Sequence, residues 1–244
     1  MMETNPVYES LTARKSVRAF EEKPVDEALR QKILLAAAAA PTAGNQQLYT
    51  ILDIRGEELK KRLSLSCDNQ PFIAKAPMVL IFCADAQKWY DAYQEAGAQP
   101  RKPGAGDLML CVCDAAIAAQ NAVTAAESFG LGSCYIGDIM EQCETHRHLL
   151  QLPVWVFPAV MLVIGWPTRQ QKEREKPQRF ALQHIVHEDA YRRMDGAELR
   201  SMLHARSGQR GYEDWVRAFC ERKYNSAFSV EMSRSVAEYL KEFQ

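Results

Sequence analysis

The chain has 244 residues, 47% of them hydrophobic and 25% charged, with 30 Lys and Arg against 31 Asp and Glu. These values are typical of a soluble globular protein built as one large domain or two small ones. The balanced charge excludes a global field that would attract nucleic acid or an anionic membrane surface, so we expect any anion site to be local.

The first residues and the longest apolar run predict a cytoplasmic protein. The opening stretch, MMETNPVYES, carries acidic residues and a proline where a signal peptide needs a basic and then an apolar region. The longest apolar run, Val154 to Trp166, has 13 residues and is shorter than the roughly 18–20 that cross a membrane. The seven scattered cysteines predict reduced thiols. We therefore expect no membrane partner and no nucleic-acid partner.

The first part of the chain alternates helical and strand patterns. Asn5 before Pro6 is typical of an N-cap followed by the first helical position. The apolar run from Met78 to Cys83 has the length of a strand and no polar position, which predicts a strand buried on both faces. The predicted elements are helices at 6–14 and 26–40, a strand at 49–55, a charged surface helix at 57–66 and a central strand at 78–83.

The second part mixes both patterns again and predicts an α+β fold. Residues 84–106 form an insert in which three aromatic residues precede the irregular stretch QPRKPGAG, so we expect a helix followed by a mobile loop. The pattern from Asp107 to Phe129 is apolar on nearly every face and predicts a central helix. The remaining predicted elements are strands at 133–136 and 157–164, a helix at 138–150, the start of another within 184–194, and amphipathic helices at 211–223 and 231–243.

The stretch ARKSVRAF is the first candidate site. Beyond the end of a helix the chain is extended, so alternate side chains point the same way. Arg14, Ser16 and Arg18 would then present two guanidinium groups and a hydroxyl to one ligand, a set that suits phosphate and planar carbonyl groups. The alternative is a basic turn in contact with solvent, and the residues alone leave both interpretations open.

Three further segments carry polar or basic residues in unusual density. APTAGNQQ, residues 40–47, is either a polar turn or a ligand-binding loop. GLGSCYIGD, residues 130–138, has glycines that would let a flat ligand approach the backbone. TRQQKEREKPQRF, residues 168–180, is either a solvated loop or a second arm for a phosphate.

Other chemistries have weaker support. No Ser-His-Asp arrangement or pair of catalytic carboxylates is visible in the sequence. His146 and His148 are two positions apart on a predicted helix and point apart, so we predict no metal site with Cys143. PGAGD at 103–107 lacks the third glycine and the preceding strand of a dinucleotide-binding motif.

In order and spacing, four motifs resemble the FMN-dependent nitroreductase family. They are ARKSVRAF, AAAAAPTAGNQQ, DAAIAAQNAVTAAESFGLGSCYIGD and VIGWP followed by RFALQHIVHEDAY, and the resemblance covers about residues 8–191. It implies an α+β fold with a central mixed, mostly antiparallel sheet flanked by helices, built as an intertwined homodimer with FMN at the subunit interface. Residues 1–194 would form the FMN-binding domain, and 195–244 a helical extension that packs on the dimer.

The resemblance also implies which residues bind FMN. One group would hold the phosphate and ribityl chain and reach the pyrimidine edge, a second would come largely from the partner subunit, a third would lie against the ring near N5, and a fourth would return to the phosphate. These groups are, respectively, Arg14, Lys15, Ser16 and Arg18; Pro41, Thr42 and Asn45; Tyr135, Ile136 and Gly137; and Arg179 with Lys176.

The activity implied is hydride transfer from NAD(P)H, through flavin N5, to a nitroaromatic, quinone or similar flat acceptor by a ping-pong mechanism. The chemistry takes place on the flavin, so no catalytic side chain and no metal ion is predicted. Two alternatives stay open: a specialised enzyme of the same fold (dehalogenase-like, flavin-fragmenting or enoate-reducing), and a non-catalytic flavin-binding sensor or interaction module.

Overall fold

The computed structural model describes residues 5–244. Contacts divide the chain into two units, one formed by the residues up to Glu175 together with Glu231–Gln244, and the other by Lys176–Val230. The predicted division at residue 194 falls within the second of these units. The first four residues of the predicted domain lie outside the described residues.

The first unit is built on one sheet of four strands, in the spatial order β1-β2-β4-β3, with every neighbouring pair antiparallel. Its strands are β1 (Tyr49–Ile54), β2 (Met78–Asp85), β3 (Gly132–Ile136) and β4 (Val156–Gly165). A parallel bridge between Ser16 and Ser133 adds the amino-terminal segment to the β3 edge. The predicted α+β fold with a mostly antiparallel sheet is confirmed.

Helices cover both faces of this sheet. In the first unit they are α1 (Pro6–Ala13), α2 (Glu27–Ala38), α3 (Glu57–Ser66), α4 (Pro71–Lys75), α5 (Gln87–Glu95), α6 (Ala105–Ser128), α7 (Cys143–Leu150) and α8 (Arg169–Glu173). The second unit holds α9 (Gly196–Ser207) and α10 (Tyr212–Lys223), and α11 (Ala227–Leu240) leads back into the first. Side-chain caps start α1 and α2, where Asn5 accepts the Tyr8 N–H at 3.0 Å and Asp26 accepts the Leu29 N–H at 2.8 Å.

The strand β2 divides the core into two layers, as its uninterrupted apolar sequence predicts. Leu80 and Phe82 face one cluster, which contains residues of α2 and α6, whereas Val79 and Ile81 face a second cluster, which contains residues of α3 and α4. All eight residues of β2 are buried. This alternation follows from the two-residue period of a strand.

The helix α6 lies against the sheet on one side only. Ala115, Ala118 and Ala122 are fully buried, whereas Met109 and Ile117 are exposed. The helix is long and apolar enough to span a membrane, but its small buried residues make it a core helix here. The prediction that it is central is therefore correct for one face, and the other face leaves apolar side chains uncovered.

The predicted start of a helix within residues 184–194 is wrong. The structure has a short 3₁₀ turn at Leu182–His184 and no helix at 187–195; the next helix, α9, begins at Gly196. Its start is fixed by a capping box in which Asp195 and Glu198 each bind the other's backbone N–H. The short helices α4 and α8 were also not predicted, since five residues are too few to show a helical period.

Candidate functional site

The segment from Arg14 to Arg18 lies along the edge of β3. The Val17 N–H donates to the Ser133 carbonyl at 2.8 Å, and the Val17 side chain is buried. This close approach depends on Gly132, because a Cβ at that position would lie 2.5 Å from Cγ2 of Val17. The segment GLGSCYIGD, through Gly132, thus allows the segment ARKSVRAF to pack closely against β3.

Arg14 points along β3 and has a donor without a partner. Its guanidinium lies 5.5 Å from the centre of the Tyr135 ring, and its Nη2 donates to the Ser133 hydroxyl at 3.4 Å. Its Nε is buried and has no hydrogen-bond partner within residues 5–244. A buried donor of this kind costs about 1–3 kcal/mol unless an acceptor binds it, so the site favours a ligand with anionic or carbonyl oxygens.

The alternation of side chains predicted for this segment is consistent with the surroundings of Cys134. Burial raises the pKa of the Cys134 thiol, while Arg18, Ser16 and Arg14 act in the opposite direction. Arg14, Ser16 and Arg18 therefore each lie within electrostatic or hydrogen-bonding range of this thiol. Arg18 itself is exposed, and its backbone N–H donates to Gln171 Oε1 at 3.3 Å.

Lys15 has a different role from its neighbours. Its Nζ donates to the carbonyl of Lys172 at 2.7 Å and to that of Arg174, and the Arg174 guanidinium donates to the Ser16 carbonyl at 2.6 Å. These bonds fasten the segment 14–18 to α8 and the residues that follow it. A direct contact of Lys15 with a cofactor would compete with both carbonyls.

The basic stretch after residue 168 is partly neutralised by the protein itself. Arg169 pairs with Glu173 at 2.6 Å and Lys172 with Glu21 at 3.2 Å. Lys176 and Arg179 belong to the second unit, where Arg179 is exposed and lines a cavity of about 120 Å³ together with Phe180 and His184.

A cavity of about 770 Å³ opens beside Arg14 and Lys15 and also reaches Glu127 near the end of α6. Burial raises the pKa of Glu127, and the charges of Arg14 and Lys15 oppose that shift. Its Oε1 is buried and accepts no hydrogen bond within the described part of the chain. Glu127 was not among the site residues predicted from the sequence.

The end of β3 offers an accessible stretch of backbone. The Tyr135 hydroxyl donates to Gln120 Oε1 at 3.1 Å, and Ile136 is buried. Burial raises the pKa of Tyr135 to about 12. Gly137 is exposed and begins a 3₁₀ turn, Gly137–Met140, and an added Cβ there would meet only the Met140 methyl group, at 3.9 Å. A flat ligand can therefore approach the backbone at Gly137.

Two polar residues that the sequence analysis did not identify support this turn. Gln70 Nε2 donates to Asp138 Oδ2 at 3.0 Å and to the Cys67 carbonyl at 2.9 Å. Glu141 is 4% exposed, and burial, followed by the charge of Asp138, raises its pKa to about 7. Its Oε1 has no hydrogen-bond partner among residues 5–244.

We predict that Glu141→Gln changes the pH dependence of stability. The pKa of about 7 in the folded chain is above the value of 4.5 for a free glutamate, so the folded state binds more protons between these values and loses stability as the pH rises through them. The variant cannot ionise, and its free energy of unfolding should exceed that of the wild type by roughly 1–3 kcal/mol at pH 8 and by less than about 1 kcal/mol at pH 5. Urea unfolding at both pH values measures this difference.

Glu144→Gln is the matched control for that prediction. The Arg234 guanidinium lowers the pKa of Glu144 to about 2, so its stabilising effect is present above pH 4.5 and is lost only as the pH falls towards 2. The control should therefore show no gain in stability at pH 8. Equal stability differences for Glu141→Gln at pH 5 and pH 8 would contradict the assignment of Glu141.

The loop at residues 41–47 is held by α6. The Thr42 hydroxyl donates to Asp114 Oδ2 and accepts the Gln47 N–H at 2.8 Å. Pro41 and Asn45 are exposed. No hydrogen bond or ion pair within residues 5–244 joins this loop to residues 14–18. The structure of one chain thus brings Arg14, Ser16 and Arg18 together with β3, and leaves the loop as a separate surface.

The insert at 84–106 contains the predicted helix, α5, followed by irregular chain. Trp89 Nε1 donates to the Gln46 carbonyl at 2.8 Å, and the Trp89 and Tyr93 rings lie 5.6 Å apart. These rings line a cavity of about 400 Å³, and at its edge Arg101 binds Asp107 at 2.6 Å. The aromatic residues are thus both structural cover and the lining of a cavity.

No metal centre is formed in the described part of the chain, where no group of three or more His, Cys, Asp and Glu side chains could hold an ion. His146 is fully buried, its Nε2 lies 2.8 Å from the Ser66 hydroxyl, and burial lowers its pKa. All seven cysteines are free.

The fold and the site define an α+β protein with a cationic edge segment and an accessible backbone turn, a combination that suits a flat cofactor bearing a phosphate. A model of the nitroreductase family matches residues 11–166, which is more than half of the chain. The chain belongs to the nitroreductase family, as the four motifs predicted.

Individual relatives extend over most of the chain. An FMN reductase (NAD(P)H) of Bacillus subtilis is 32% identical over 237 residues, which are 96% of this chain and 91% of the relative. An oxygen-insensitive NADPH nitroreductase of Salmonella typhimurium is 35% identical over 191 residues, 78% of this chain and 77% of the relative. The solved structure of the NfrA1 nitroreductase of Bacillus subtilis has a TM-score of 0.83 at 26% identity and covers 97% of this chain and 98% of its own.

Proposed function

We propose that the chain is an FMN-dependent oxidoreductase that takes a hydride from NAD(P)H and passes it to a nitroaromatic, quinone or similar flat acceptor by a ping-pong mechanism. It is an enzyme of the flavin-dependent NAD(P)H oxidoreductase class, like the relatives named as an FMN reductase and an NADPH nitroreductase. The observation that carries the proposal is the guanidinium of Arg14, whose buried Nε has no hydrogen-bond partner within residues 5–244.

The residues present fit FMN in both charge and shape. Arg14 and Arg18 supply guanidinium groups for a phosphate or for the pyrimidine carbonyl groups, and Ser16 supplies a hydroxyl. The exposed turn at Gly137 lets a planar ring lie against the backbone, with Tyr135 and Ile136 leading up to it. Lys15 would hold the segment in place through the carbonyls of Lys172 and Arg174, and Pro41, Thr42 and Asn45 would add the loop of the partner subunit. The resemblance to the family makes Lys176 and Arg179 further candidates for the phosphate.

Bound FMN would supply the hydride chemistry, since its N5 atom accepts and returns a hydride. The contribution of the chain is electrostatic. Reduction places negative charge on the pyrimidine edge of the ring, and a guanidinium held near that edge stabilises this charge. No general base is required, which agrees with the use of the buried Asp114 carboxylate in structural hydrogen bonds.

The binding of NAD(P)H would not need a fold of its own. The sheet is antiparallel throughout its four strands, whereas dinucleotide-binding domains are built on parallel strands with a ligand at their carboxyl ends. We therefore infer that NAD(P)H and the acceptor use the same exposed side of the site in turn. Gln46, which is part of the proposed flavin loop, also lines the aromatic cavity formed by Trp89 and Tyr93.

A homodimer is part of the proposal, since the loop at 41–47 needs a second subunit to reach a flavin held by residues 14–18. Exposed apolar side chains support it. They are Val7, Tyr8 and Leu11 of α1, Leu35 of α2, and Met109, Leu110 and Ile117 of α6. Apolar surface of this extent on neighbouring helices is typical of a protein interface. We place the protein in the cytoplasm, with no membrane partner and no nucleic-acid partner.

The test is flavin uptake followed by turnover. The purified protein should show the yellow absorption of flavin, or acquire it with one FMN per chain after dialysis against FMN and gel filtration. It should then oxidise NADPH or NADH only when a quinone or nitroaromatic acceptor is added. Colourless protein that retains no added FMN would contradict the proposal. Slow turnover with every nitroaromatic and quinone would favour a specialised enzyme of this fold, and tight FMN without turnover would favour a non-catalytic flavin-binding module.

A further inference from the structure

The loop between α2 and β1 has an unusual backbone. Gly44, Asn45 and Gln47 lie in the left-handed region, with φ of 56°, 57° and 46°. This conformation is easy for glycine but costs free energy for a residue with a side chain. Two such residues in one short loop require surrounding contacts that hold its shape.

The carboxylate of Asp114, on α6, supplies these contacts. Its Oδ1 accepts the Ala43 N–H at 3.1 Å, and its Oδ2 accepts the Leu48 N–H at 3.2 Å and the Thr42 hydroxyl proton. The Thr42 hydroxyl in turn accepts the Gln47 N–H at 2.8 Å. One carboxylate thus binds both ends of the loop, and one hydroxyl links it to the middle.

Asp114 also depends on the loop for its hydrogen-bond donors. Asp114 is 3% exposed, and a buried carboxylate must be satisfied by hydrogen bonds or by a cation. None of the ion pairs formed within residues 5–244 includes Asp114. All three of its donors come from residues 42–48, so a change in the loop would leave the carboxylate buried and without partners.

The same bonds decide which side chain of the loop can serve a ligand. The Thr42 hydroxyl has a single proton and gives it to Asp114, so it cannot donate to a flavin without breaking that bond. Asn45 is exposed, and its Oδ1 accepts Gln47 Nε2 at 2.9 Å. The amide NH₂ of Asn45 donates to no group within the part of the chain that the structure describes, so it is free to donate outward.

We propose that Asp114 is a positioning residue of the flavin site, and that Asn45, not Thr42, supplies the side-chain donor of this loop to FMN. The inference rests on the proposed function. Asp114 accepts hydrogen bonds from Thr42, Ala43 and Leu48. The Thr42 hydroxyl accepts the Gln47 N–H, and Gln47 Nε2 donates to the backbone and side-chain carbonyl oxygens of Asn45. Asn45 is thereby oriented without touching Asp114.

The first test measures the loop in the absence of FMN, by amide hydrogen exchange of the cofactor-free protein. In Asp114→Asn the exchange rates of Ala43 and Leu48 should rise about 10-fold or more, because a charged acceptor is replaced by an amide. Asp85→Asn is the matched control: Asp85 is also buried, and accepts from the Thr50 hydroxyl at 2.5 Å and the Lys88 N–H at 3.2 Å. It should leave the exchange of Ala43 unchanged; Leu48 is not the reporter for this control, because its carbonyl accepts the Asp85 N–H at 3.0 Å.

The second test measures FMN affinity by flavin fluorescence. Asp114→Asn and Thr42→Val should each raise the Kd of FMN about 10-fold or more, their effects should not add in the double variant, and Thr42→Ser should restore wild-type affinity. Asn45→Ala should raise the Kd without changing exchange at Ala43. If Asp114→Asn does not fold, Thr42→Val provides both readouts.

The outcomes separate this inference from the proposed function. Wild-type protein that binds FMN, with Asp114→Asn and Asp85→Asn equal in affinity and in exchange, would overturn the role of Asp114 and leave the function standing. Thr42→Val with wild-type affinity would overturn the relay through Thr42. Wild-type protein that takes up no FMN would refute the proposed function, while exchange at Ala43 and Leu48 would still show whether Asp114 holds the loop.

Discussion

Arg14→Ala is expected to raise the Kd of FMN by about 10- to 150-fold, which corresponds to roughly 1.5–3 kcal/mol for a charge-assisted hydrogen bond. The guanidinium contacts the Ser133 hydroxyl and the Tyr135 ring, and its buried Nε has no hydrogen-bond partner among residues 5–244. An acceptor on the cofactor would satisfy that donor, and alanine removes it. Titration of cofactor-free protein with FMN, followed by flavin fluorescence, measures the change.

Two further variants sharpen this result. Arg14→Lys keeps the positive charge but loses the planar fork, so it should bind FMN with an affinity between those of the wild type and Arg14→Ala. Arg62→Ala removes an exposed arginine on α3 and should leave the Kd unchanged. Wild-type affinity in Arg14→Ala would show that the cationic segment does not bind the cofactor.

Gly132→Ala should both destabilise the protein and weaken FMN binding. The new Cβ would lie 2.5 Å from Cγ2 of Val17 and 2.9 Å from its Cβ, and real Cβ contacts are not that short, so the segment 14–18 must move away from β3. Overpacking of this kind costs about 1–3 kcal/mol. The displaced Arg14 and Ser16 should raise the Kd of FMN about 10-fold, and urea unfolding with FMN titration measures the two effects together.

Gly106→Ala is the control for this prediction. An added Cβ at Gly106, in the first turn of α6, would meet no atom within 4 Å. Because alanine is a better helix former than glycine by up to about 1 kcal/mol, this variant should be as stable as the wild type or slightly more so, with unchanged FMN affinity. A Gly132→Ala protein that matches it in both measurements would contradict the close packing of Val17 on β3.

The elements that could be predicted from the sequence are those with a strong local signal. Asn5 and Asp26 cap α1 and α2 with their own side chains, and β2 is apolar from Met78 to Ala84 because both of its faces are buried. The start at Gly196 was missed because it is set by the reciprocal bonds of Asp195 and Glu198, whereas the apolar residues upstream suggested an earlier start. The short α4 and α8 have too few residues for a period to be seen.

The residues of the candidate site likewise fall into those with a local sequence signal and those without one. ARKSVRAF was identified because cations and a hydroxyl are adjacent in the chain, and the bridge between Ser16 and Ser133 agrees with the extended conformation expected for this segment. Asp114 lies 66 residues or more from its partners in the chain, and only its position as an acidic residue in an apolar stretch of α6 could have drawn attention to it. Gln70 and Glu141 carry no such signal, since their roles depend on the fold.

A crystal structure of the FMN-loaded protein tests the central claim most directly. We predict two chains that share two flavins, with the phosphate and pyrimidine groups of each flavin within hydrogen-bond distance of Arg14, Ser16 and Arg18, its ring against the backbone at Gly137, and the Asn45 amide of the partner subunit beside it. Flavin bound elsewhere, with Arg14 and Arg18 directed into solvent, would contradict the claim.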